Sequence, residues 1–172
     1  IAFIARTTFE IDGVRYFCLF DDAMITMAYA KNFVDGLGLN WAKYGEPVEG
    51  YSHPLWLLVC MASNLPGVPL HLRSLLVQLV SLALLVACAL LVFRIMVELQ
   101  DNRGGGEPSW VPAVVLTMTY YPLTMWSLQG MESALQAFLV LMAFRHVNGL
   151  LYRGRPVFLP LSACLSLALL TR

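Results

Sequence analysis

Apolar runs without charge alternate with short polar segments through the second half of the chain. A helix needs about 20 mostly apolar residues to cross a bilayer, so we predict membrane spans at 74–98, 109–127 and 131–148. The apolar run at 156–172 predicts a truncated span, and residues 1–5 predict the end of an earlier one. The pattern therefore predicts an all-α, polytopic transmembrane bundle, and we expect the chain to be a fragment of a larger protein.

The segment 6–72 is more polar and predicts a long loop outside the membrane. Apolar residues from Asp21 to Gly36 recur at i, i+4, i+7 and i+11, which predicts an amphipathic helix that ends at Gly36. Residues 53–67 predict a second helix that is too short to span. We expect both helices to lie in the membrane interface, with Trp56 near the lipid headgroups.

Basic residues in short loops indicate which side of a membrane each loop occupies. The loop 145–155 contains three arginines and no acid, so we predict that it is cytoplasmic. Alternation then places the loop 99–108 on the same side and the segment 6–72 outside. Pro122 predicts a kink at the far end of the second span, because proline interrupts helical hydrogen bonding.

Composition agrees with a membrane protein. Of the 172 residues, 13% are charged, whereas soluble domains carry about 25%. The formal net charge is zero, so nothing suggests binding to nucleic acid. The four cysteines are scattered without CxxC spacing, which predicts neither a disulfide framework nor a zinc site.

Two adjacent carboxylates, Asp21 and Asp22, begin the first predicted helix. Helix capping explains one of them, because aspartate is a favoured N-cap and the helix dipole stabilises a carboxylate there. Successive helical side chains diverge by about 100°, so two helical aspartates cannot share one small site. We therefore expect a division of roles. One would be a general base toward a hydroxyl, and the other would cap, hold a cation or orient its neighbour.

The stretch "GEPVEGYSHPLW", residues 45–56, mixes carboxylates, aromatic rings and an imidazole. This composition is typical of sugar-binding surfaces, and it also fits a polar loop followed by a helix start. The substrate-binding candidates here are Glu49, Tyr51, His53 and Trp56.

Two further charges lie near the predicted spans. Glu132 is the only formal charge between Glu107 and Arg145. A charge near membrane depth is a functional candidate, although an acid at a helix start is an equal explanation. Arg73 lies at the outer end of the first complete span, where it would meet a lipid phosphate or snorkel to the surface.

Three segments together, "FDDAMITMAYAKNFVDGLGLNW", "GEPVEGYSHPLW" and "GMESAL", resemble the GT-C membrane glycosyltransferases. The likeness is greatest to the bacterial branch that contains the terminal arabinofuranosyltransferases. It covers residues 16–65 and, more weakly, 127–172. The resemblance implies an inverting enzyme of the bacterial inner membrane. It would transfer a sugar from a polyprenyl-phosphate donor to a hydroxyl of a glycan or lipid acceptor, at the outer face of the membrane.

The resemblance also implies that Asp21 is the base and Asp22 its partner, or the reverse. No cofactor is certain, and a divalent cation could lie near Asp22. The family often has a basic residue where this chain has Ala28, and Lys31 supplies a basic group one turn further on. We expect the fragment to be inactive alone.

Two other functions fit a polytopic chain: a transporter or flippase of lipid-linked sugars, and a membrane scaffold. Transporters keep ionisable groups near the middle of the bilayer, whereas here the acids cluster outside the spans, which favours the enzyme.

Overall fold

The chain is mostly helical, with 71% of its residues in helices. The computed structural model describes residues 2–42, 48, 50–101, 109–154 and 156–171. In chain order the elements are α1 (Ala2–Arg6), β1 (Thr8–Ile11), β2 (Val14–Phe17), α2 (Asp21–Val34), α3 (Pro54–Ser63), α4 (Leu70–Asp101), α5 (Val111–Thr119), α6 (Tyr121–Leu128), α7 (Ser133–Arg153) and α8 (Phe158–Leu169).

The strands β1 and β2 form an antiparallel hairpin, so the all-α prediction is wrong for this segment. Asp12 and Gly13 connect the strands, with φ angles of 51° and 75°. Positive φ at both central residues is the requirement of a type I′ turn, which matches the twist of the flanking strands. The sequence "DG" between two apolar-rich segments is the local signal for this hairpin.

Helix α2 confirms the amphipathic helix predicted from Asp21. Ala23, Met27 and Ala30 of the predicted apolar face are buried. The chain leaves the helix at Gly36, which has a φ of 82° and donates its N–H to the Phe33 carbonyl. Helix α3 confirms the second short helix, and it packs against α2 and the start of α4 in the largest part of the core.

Within the described ranges, two helices are long and apolar enough to cross a membrane: α4, and α7 between Ser133 and Tyr152. Their most apolar windows have mean hydropathies of 2.8 and 1.4, and only 33% and 17% of those windows are buried inside the chain. A core helix of a soluble protein would be mostly buried. The outward-facing apolar surface therefore indicates association with a membrane.

The prediction of one continuous helix over 109–127 is wrong. The chain forms two short helices, α5 and α6, which are separated at Tyr120 with a ψ of 97°. Pro122 lies in the first turn of α6, where it lacks an N–H and its ring excludes the carbonyl of a continuous preceding turn. The predicted kink is therefore a complete break.

The ends of the last two helices also differ from the prediction. Helix α7 continues through most of the predicted 145–155 loop and ends before Gly154, which has a φ of 58°. Helix α8 confirms a helix within 156–172. With 12 residues it is shorter than a complete span.

Contacts along α4 fix the direction of α5 and α6. Near the start of α4, Gln78 Nε2 donates to the Leu128 carbonyl at the end of α6, at 3.1 Å. Towards the other end, the rings of Phe93 and Trp110 lie 5.0 Å apart, and Trp110 precedes α5. The two short helices together therefore run antiparallel to α4.

Helix α7 runs in the same direction as α4. The Cys88 Sγ lies 3.7 Å from the Ala134 carbonyl near the start of α7. Further along both helices, Arg145 Nη2 lies 2.6 Å from Glu98 Oε1. The alternating directions agree with the topology expected from the sequence.

Candidate functional site

Asp21 and Asp22 are the first two residues of α2, and both are exposed. The N-cap residue is Phe20, whose side chain makes no capping hydrogen bond. Neither aspartate is therefore the N-cap, although both lie where the helix dipole favours a negative charge. Because both are helical, their side chains leave the axis about 100° apart and face different surroundings.

The Asp22 side of α2 faces the loop before α3. Thr26, one turn after Asp22, donates its hydroxyl to the Asp22 carbonyl at 3.3 Å. The same hydroxyl lies 2.9 Å from His53 Nε2, and the Ser52 hydroxyl lies 2.9 Å from His53 Nδ1. Ser52, His53 and Thr26 thus form a chain of hydrogen bonds that runs from the exposed surface to the interior.

The Thr26 hydroxyl has one hydrogen, so its bonds depend on the imidazole tautomer. If Thr26 donates to the Asp22 carbonyl, His53 must donate to Thr26 through Nε2–H. His53 Nδ1 then accepts a hydrogen bond from the Ser52 hydroxyl. In that arrangement every group in the chain has a partner.

Tyr29 anchors the loop before His53 on α2. Its buried hydroxyl donates to the Val48 carbonyl at 2.6 Å, and its ring packs edge-on against Tyr51 with centroids 5.4 Å apart. A Cβ on Gly50 would lie 2.6 Å from the Tyr29 hydroxyl, so the close approach requires glycine. Tyr51 is thereby held half-buried beside α2, while the predicted Glu49 lies outside the described residues.

The Asp21 side of α2 faces a cavity of about 350 Å³ between the hairpin, α2 and α4, here called the α2–α4 cavity. Helical spacing places Asp21, Met24, Ala28 and Lys31 on one face at i, i+3, i+7 and i+10. The last three line the cavity, so Asp21 lies one turn beyond its edge. The cavity is lined by Phe9, Tyr16, Phe17, Cys18, Met24, Met27, Ala28, Lys31, Asn64, Leu70, Arg73 and Ser74.

Two cations belong to the described lining of this mostly apolar cavity. Arg73 Nη1 donates to Asn64 Oδ1 at 3.0 Å, and its Nε donates to the Val68 carbonyl at 3.3 Å. Within the described part of the chain, Arg73 forms no salt bridge with a carboxylate. Lys31 is paired with Asp35 one turn along α2. Neutral partners therefore orient the Arg73 guanidinium without cancelling its charge.

The expectation that Trp56 lies among the headgroups is wrong. Only 1% of Trp56 is exposed, and its Nε1 donates to the Gly130 carbonyl at 2.7 Å. The indole nitrogen finds a backbone acceptor inside the protein, so the ring lies in the core rather than at a surface. Trp56 therefore cannot contact a substrate in this arrangement.

The Gly130 turn also packs against the start of α2. The Phe20 N–H donates to the Gln129 carbonyl at 2.9 Å. Gly130 has a φ of 94°, and a Cβ there would lie 3.0 Å from the Cβ of Ala23. The segment that precedes Glu132 is thus fixed to the same end of the fold as the two aspartates.

Glu132 is half-buried, and its Oε2 is buried without a hydrogen-bond partner among the described residues. Its charge acts on the buried thiol of Cys60. Burial and, to a smaller extent, the nearby Glu132 carboxylate raise the pKa of Cys60 to about 12. Glu132 therefore faces the interior between α3 and α7.

No group of three or more histidine, cysteine, aspartate or glutamate side chains within the described ranges is placed to hold a metal ion. The Asp21 side chain leaves α2 about 100° away from that of Asp22. These residues do not form a metal cage, and a cation near Asp22 stays a prediction.

The fold thus separates the predicted site residues within the described ranges into three groups. Lys31 and Arg73 line the α2–α4 cavity next to Asp21, whereas Tyr51 and His53 lie on the Asp22 side. Trp56 and Glu132 face the interior.

Sequence reasoning missed Thr26 and Asn64, the polar partners of His53 and Arg73. The i+4 spacing of Thr26 from Asp22 was a signal for the first. No sequence signal identified Asn64, because its role depends on how the fold places the end of α3 beside Arg73.

Gln78 was also missed, although it is the first polar side chain within the apolar run of α4 that lacks any exposure. Its Nε2 lies 3.2 Å from Thr7 Oγ1, 3.2 Å from the Cys18 carbonyl and 3.1 Å from the Leu128 carbonyl. One buried amide therefore links the two ends of the hairpin to the end of α6.

Comparisons with protein-family models, with curated proteins and with solved structures found no match to this chain.

Proposed function

We propose that this chain forms the donor-binding and base-carrying part of a GT-C-type glycosyltransferase. The enzyme would be a multi-pass protein of the bacterial inner membrane. It would transfer a sugar from a polyprenyl-phosphate donor to an acceptor hydroxyl at the outer face. The observation that carries the proposal is the α2–α4 cavity, which combines apolar walls with Lys31 and Arg73 on the side of α2 that begins with Asp21.

The position of Arg73 along α4 supports a phosphate at this cavity. Arg73 and Arg94 bracket a run without Asp, Glu, Lys or Arg. Their separation of 21 positions corresponds to about 32 Å of helix, close to the roughly 30 Å hydrocarbon thickness of a bilayer. Arg73 then lies at the level of the headgroups, where the phosphate of a membrane-embedded carrier also lies.

A mostly apolar path, whose lining also includes Thr8 and Arg15, supports a lipid tail. A second cavity of about 240 Å³ shares Phe17 with the α2–α4 cavity and continues along Leu75, Leu79 and Leu82 of α4. These three leucines recur at i, i+4 and i+7 and descend from Arg73 towards the middle of the helix. An isoprenoid chain could follow them while its phosphate stays beside Arg73.

The proposed reaction is a single displacement. The carboxylate of Asp21 accepts the proton of the acceptor hydroxyl, and the acceptor oxygen forms a bond to the anomeric carbon. The bond from that carbon to the phosphate oxygen breaks on the opposite face, and the electron pair leaves with the polyprenyl phosphate. Inversion follows from attack opposite the leaving group, and Arg73 and Lys31 stabilise the additional charge on the phosphate.

The spacing along α2 suits these roles. Asn64, the partner of Arg73, lies 3.7 Å from the Met27 sulfur, which is about 9 Å along the helix from Asp21. A sugar can occupy that interval between phosphate and base. Asp22, on the opposite side with His53, would then act as partner on the acceptor side.

The test measures release of free polyprenyl phosphate from a panel of polyprenyl-phosphate sugars. We expect Asp21→Asn to lower kcat by about 10²- to 10⁴-fold with donor binding retained, because only the base is lost. Arg73→Gln should weaken donor binding instead. Asp12→Asn in the hairpin turn is the matched control and should leave transfer unchanged. Unchanged transfer in both Asp21→Asn and Asp22→Asn would remove the proposed site.

One observation favours the alternative, a transporter or flippase. The break between α5 and α6 resembles the discontinuous helices of transporters, and it borders a cavity of about 700 Å³. The described lining of that cavity carries no charged side chain, whereas coupled transport sites usually use ionisable groups. Movement of intact donor across a vesicle membrane without release of free carrier would support the transporter.

A further inference from the structure

The hairpin contributes a stacked pair of aromatic rings, here called the aromatic wall, to the α2–α4 cavity. Phe9 and Tyr16 are paired directly across the two strands, and both line the cavity. Their ring centroids lie 5.5 Å apart with an angle of 10° between the ring planes. The two nearly parallel rings therefore stack on each other, which leaves the outer face of Phe9 and the ring edges beside the cations.

The wall has fixed supports. The β register sets the position of Phe9 against Tyr16, and the Tyr16 ring packs nearly perpendicular to the His71 ring of α4, with centroids 6.2 Å apart. Side chains on paired strands have better-defined positions than side chains on a free loop. Phe9 nevertheless keeps 44% of its surface exposed, so part of its ring is available to a ligand.

We propose that Phe9 and Tyr16 bind the sugar ring of the donor and thereby determine which sugars are accepted. This inference rests on the proposed function. The donor has an isoprenoid tail, a phosphate and a sugar. The leucine path along α4 fits the tail, and Arg73 with Lys31 fits the phosphate. The aromatic wall is the remaining surface of the same cavity.

The chemistry of the wall matches a sugar. The C–H groups on one face of a sugar ring are apolar and pack against an aromatic face, while the hydroxyl groups point sideways into water or toward polar neighbours. Tyr16, Asn64 and Ser74 are polar residues of the cavity lining. No carboxylate belongs to the described lining, so aromatic packing would supply most of the contact with the sugar.

The test compares two ligands that differ only in the sugar: polyprenyl phosphate, and the polyprenyl-phosphate sugar that the enzyme uses. We expect Phe9→Leu and Tyr16→Leu to weaken binding of the sugar-bearing ligand by about 3- to 10-fold. Binding of the bare carrier should stay the same. Tyr16→Phe, which keeps the ring, should recover most of the loss seen in Tyr16→Leu.

The controls separate the wall from the rest of the cavity. Ile11→Ala changes the same face of the hairpin outside the cavity lining and should leave both affinities unchanged. Arg73→Gln should weaken both ligands equally, because both carry the phosphate.

Two results would overturn the inference, and they differ in their consequences. If the aromatic variants, including Tyr16→Phe, lose both ligands equally, the wall binds the carrier rather than the sugar, and the proposed function survives. If the unaltered protein binds neither ligand, the proposed function fails together with the inference.

Discussion

The indole Nε1 of Trp56 donates a 2.7 Å hydrogen bond to the carbonyl oxygen of Gly130, which lies 74 positions further along the chain. Both ends of this bond are buried. Trp56 belongs to α3, and Gly130 belongs to the turn that packs on the start of α2. The bond therefore holds three segments of the candidate site at one end of the fold.

Replacing this indole should destabilise the protein. Trp56→Phe keeps an aromatic ring and leaves the buried Gly130 carbonyl without its donor, which costs about 1–3 kcal/mol. Thermal unfolding in detergent should show a fall in Tm of several degrees. Trp126→Phe is the control, because Trp126 is partly exposed and packs edge-on against Phe20. Equal Tm changes in the two variants would contradict a special role for the Trp56 bond.

The two nitrogens of His53 can be tested separately. A glutamine amide reaches towards the position of Nε2 and can keep the bond to Thr26, whereas an asparagine amide reaches only as far as Nδ1. We expect His53→Asn to lose about 0.5–1.5 kcal/mol and His53→Gln to lose less. Unfolding measurements would give the difference, and faster amide hydrogen exchange on the Ser52 side of α3 should accompany the asparagine variant. A larger loss in His53→Gln would show that the Ser52 bond dominates.

The buried thiol of Cys60 should respond to alkaline pH. Its folded pKa is about 12 against an ordinary value of 9.0. The folded state thus binds more protons than the unfolded state between these values. The contribution of Cys60 to stability is fully present below pH 9 and is lost as the pH rises toward 12. Cys60→Ala should remove this dependence from the unfolding free energy.

Thiol labelling gives a second measurement of the same effect. In a variant that keeps only Cys60, alkylation should be negligible at neutral pH while the protein is folded. A variant that keeps only the exposed Cys18 should react under the same conditions. Glu132→Gln removes the nearby negative charge, so labelling of Cys60 should begin at a lower pH. No change in that variant would place the Glu132 carboxylate away from the thiol.

Two glycines should give opposite results for the same substitution. Gly13 has a φ of 75°, and a Cβ there would meet nothing within 4 Å, so Gly13→Ala should cost about 1–2 kcal/mol through backbone strain alone. Gly149 lies inside α7 with similar open space, and Gly149→Ala should stabilise by about 0.5–1 kcal/mol. Thermal unfolding would measure both. Equal signs would contradict the type I′ turn.

The helices were predictable because each depends on a local pattern. The apolar run of α4, the helical spacing from Ala23 to Ala30 and the stop at Gly36 all lie within a few turns of sequence. The hairpin was missed because its strands are short and mostly exposed and therefore show little hydrophobic pattern. The turn residues Asp12 and Gly13 were the strongest sequence signal for it. The break before Pro122 was underestimated as a kink.

The site was predictable only in part, because burial depends on partners far along the chain. The sequence around Trp56 is typical of an interfacial tryptophan. Only the fold shows that the Gly130 carbonyl accepts a hydrogen bond from its indole nitrogen inside the protein. The assignment of the two aspartates to opposite sides of α2 needed the observation that both are helical. Arg73 was identified from its position before an apolar run, whereas its orienting partner Asn64 was visible only in the fold.

The buried amide of Gln78 has a consequence for access. Because it links Thr7, Cys18 and Leu128, the hairpin is fastened to the bundle on the side that borders the cavity. Movement of the hairpin away from the bundle would leave the fully buried Gln78 amide without its hydrogen-bond acceptors. Under the proposed function, the lipid-linked donor would enter laterally along the leucines of α4, and its carrier would leave along the same path.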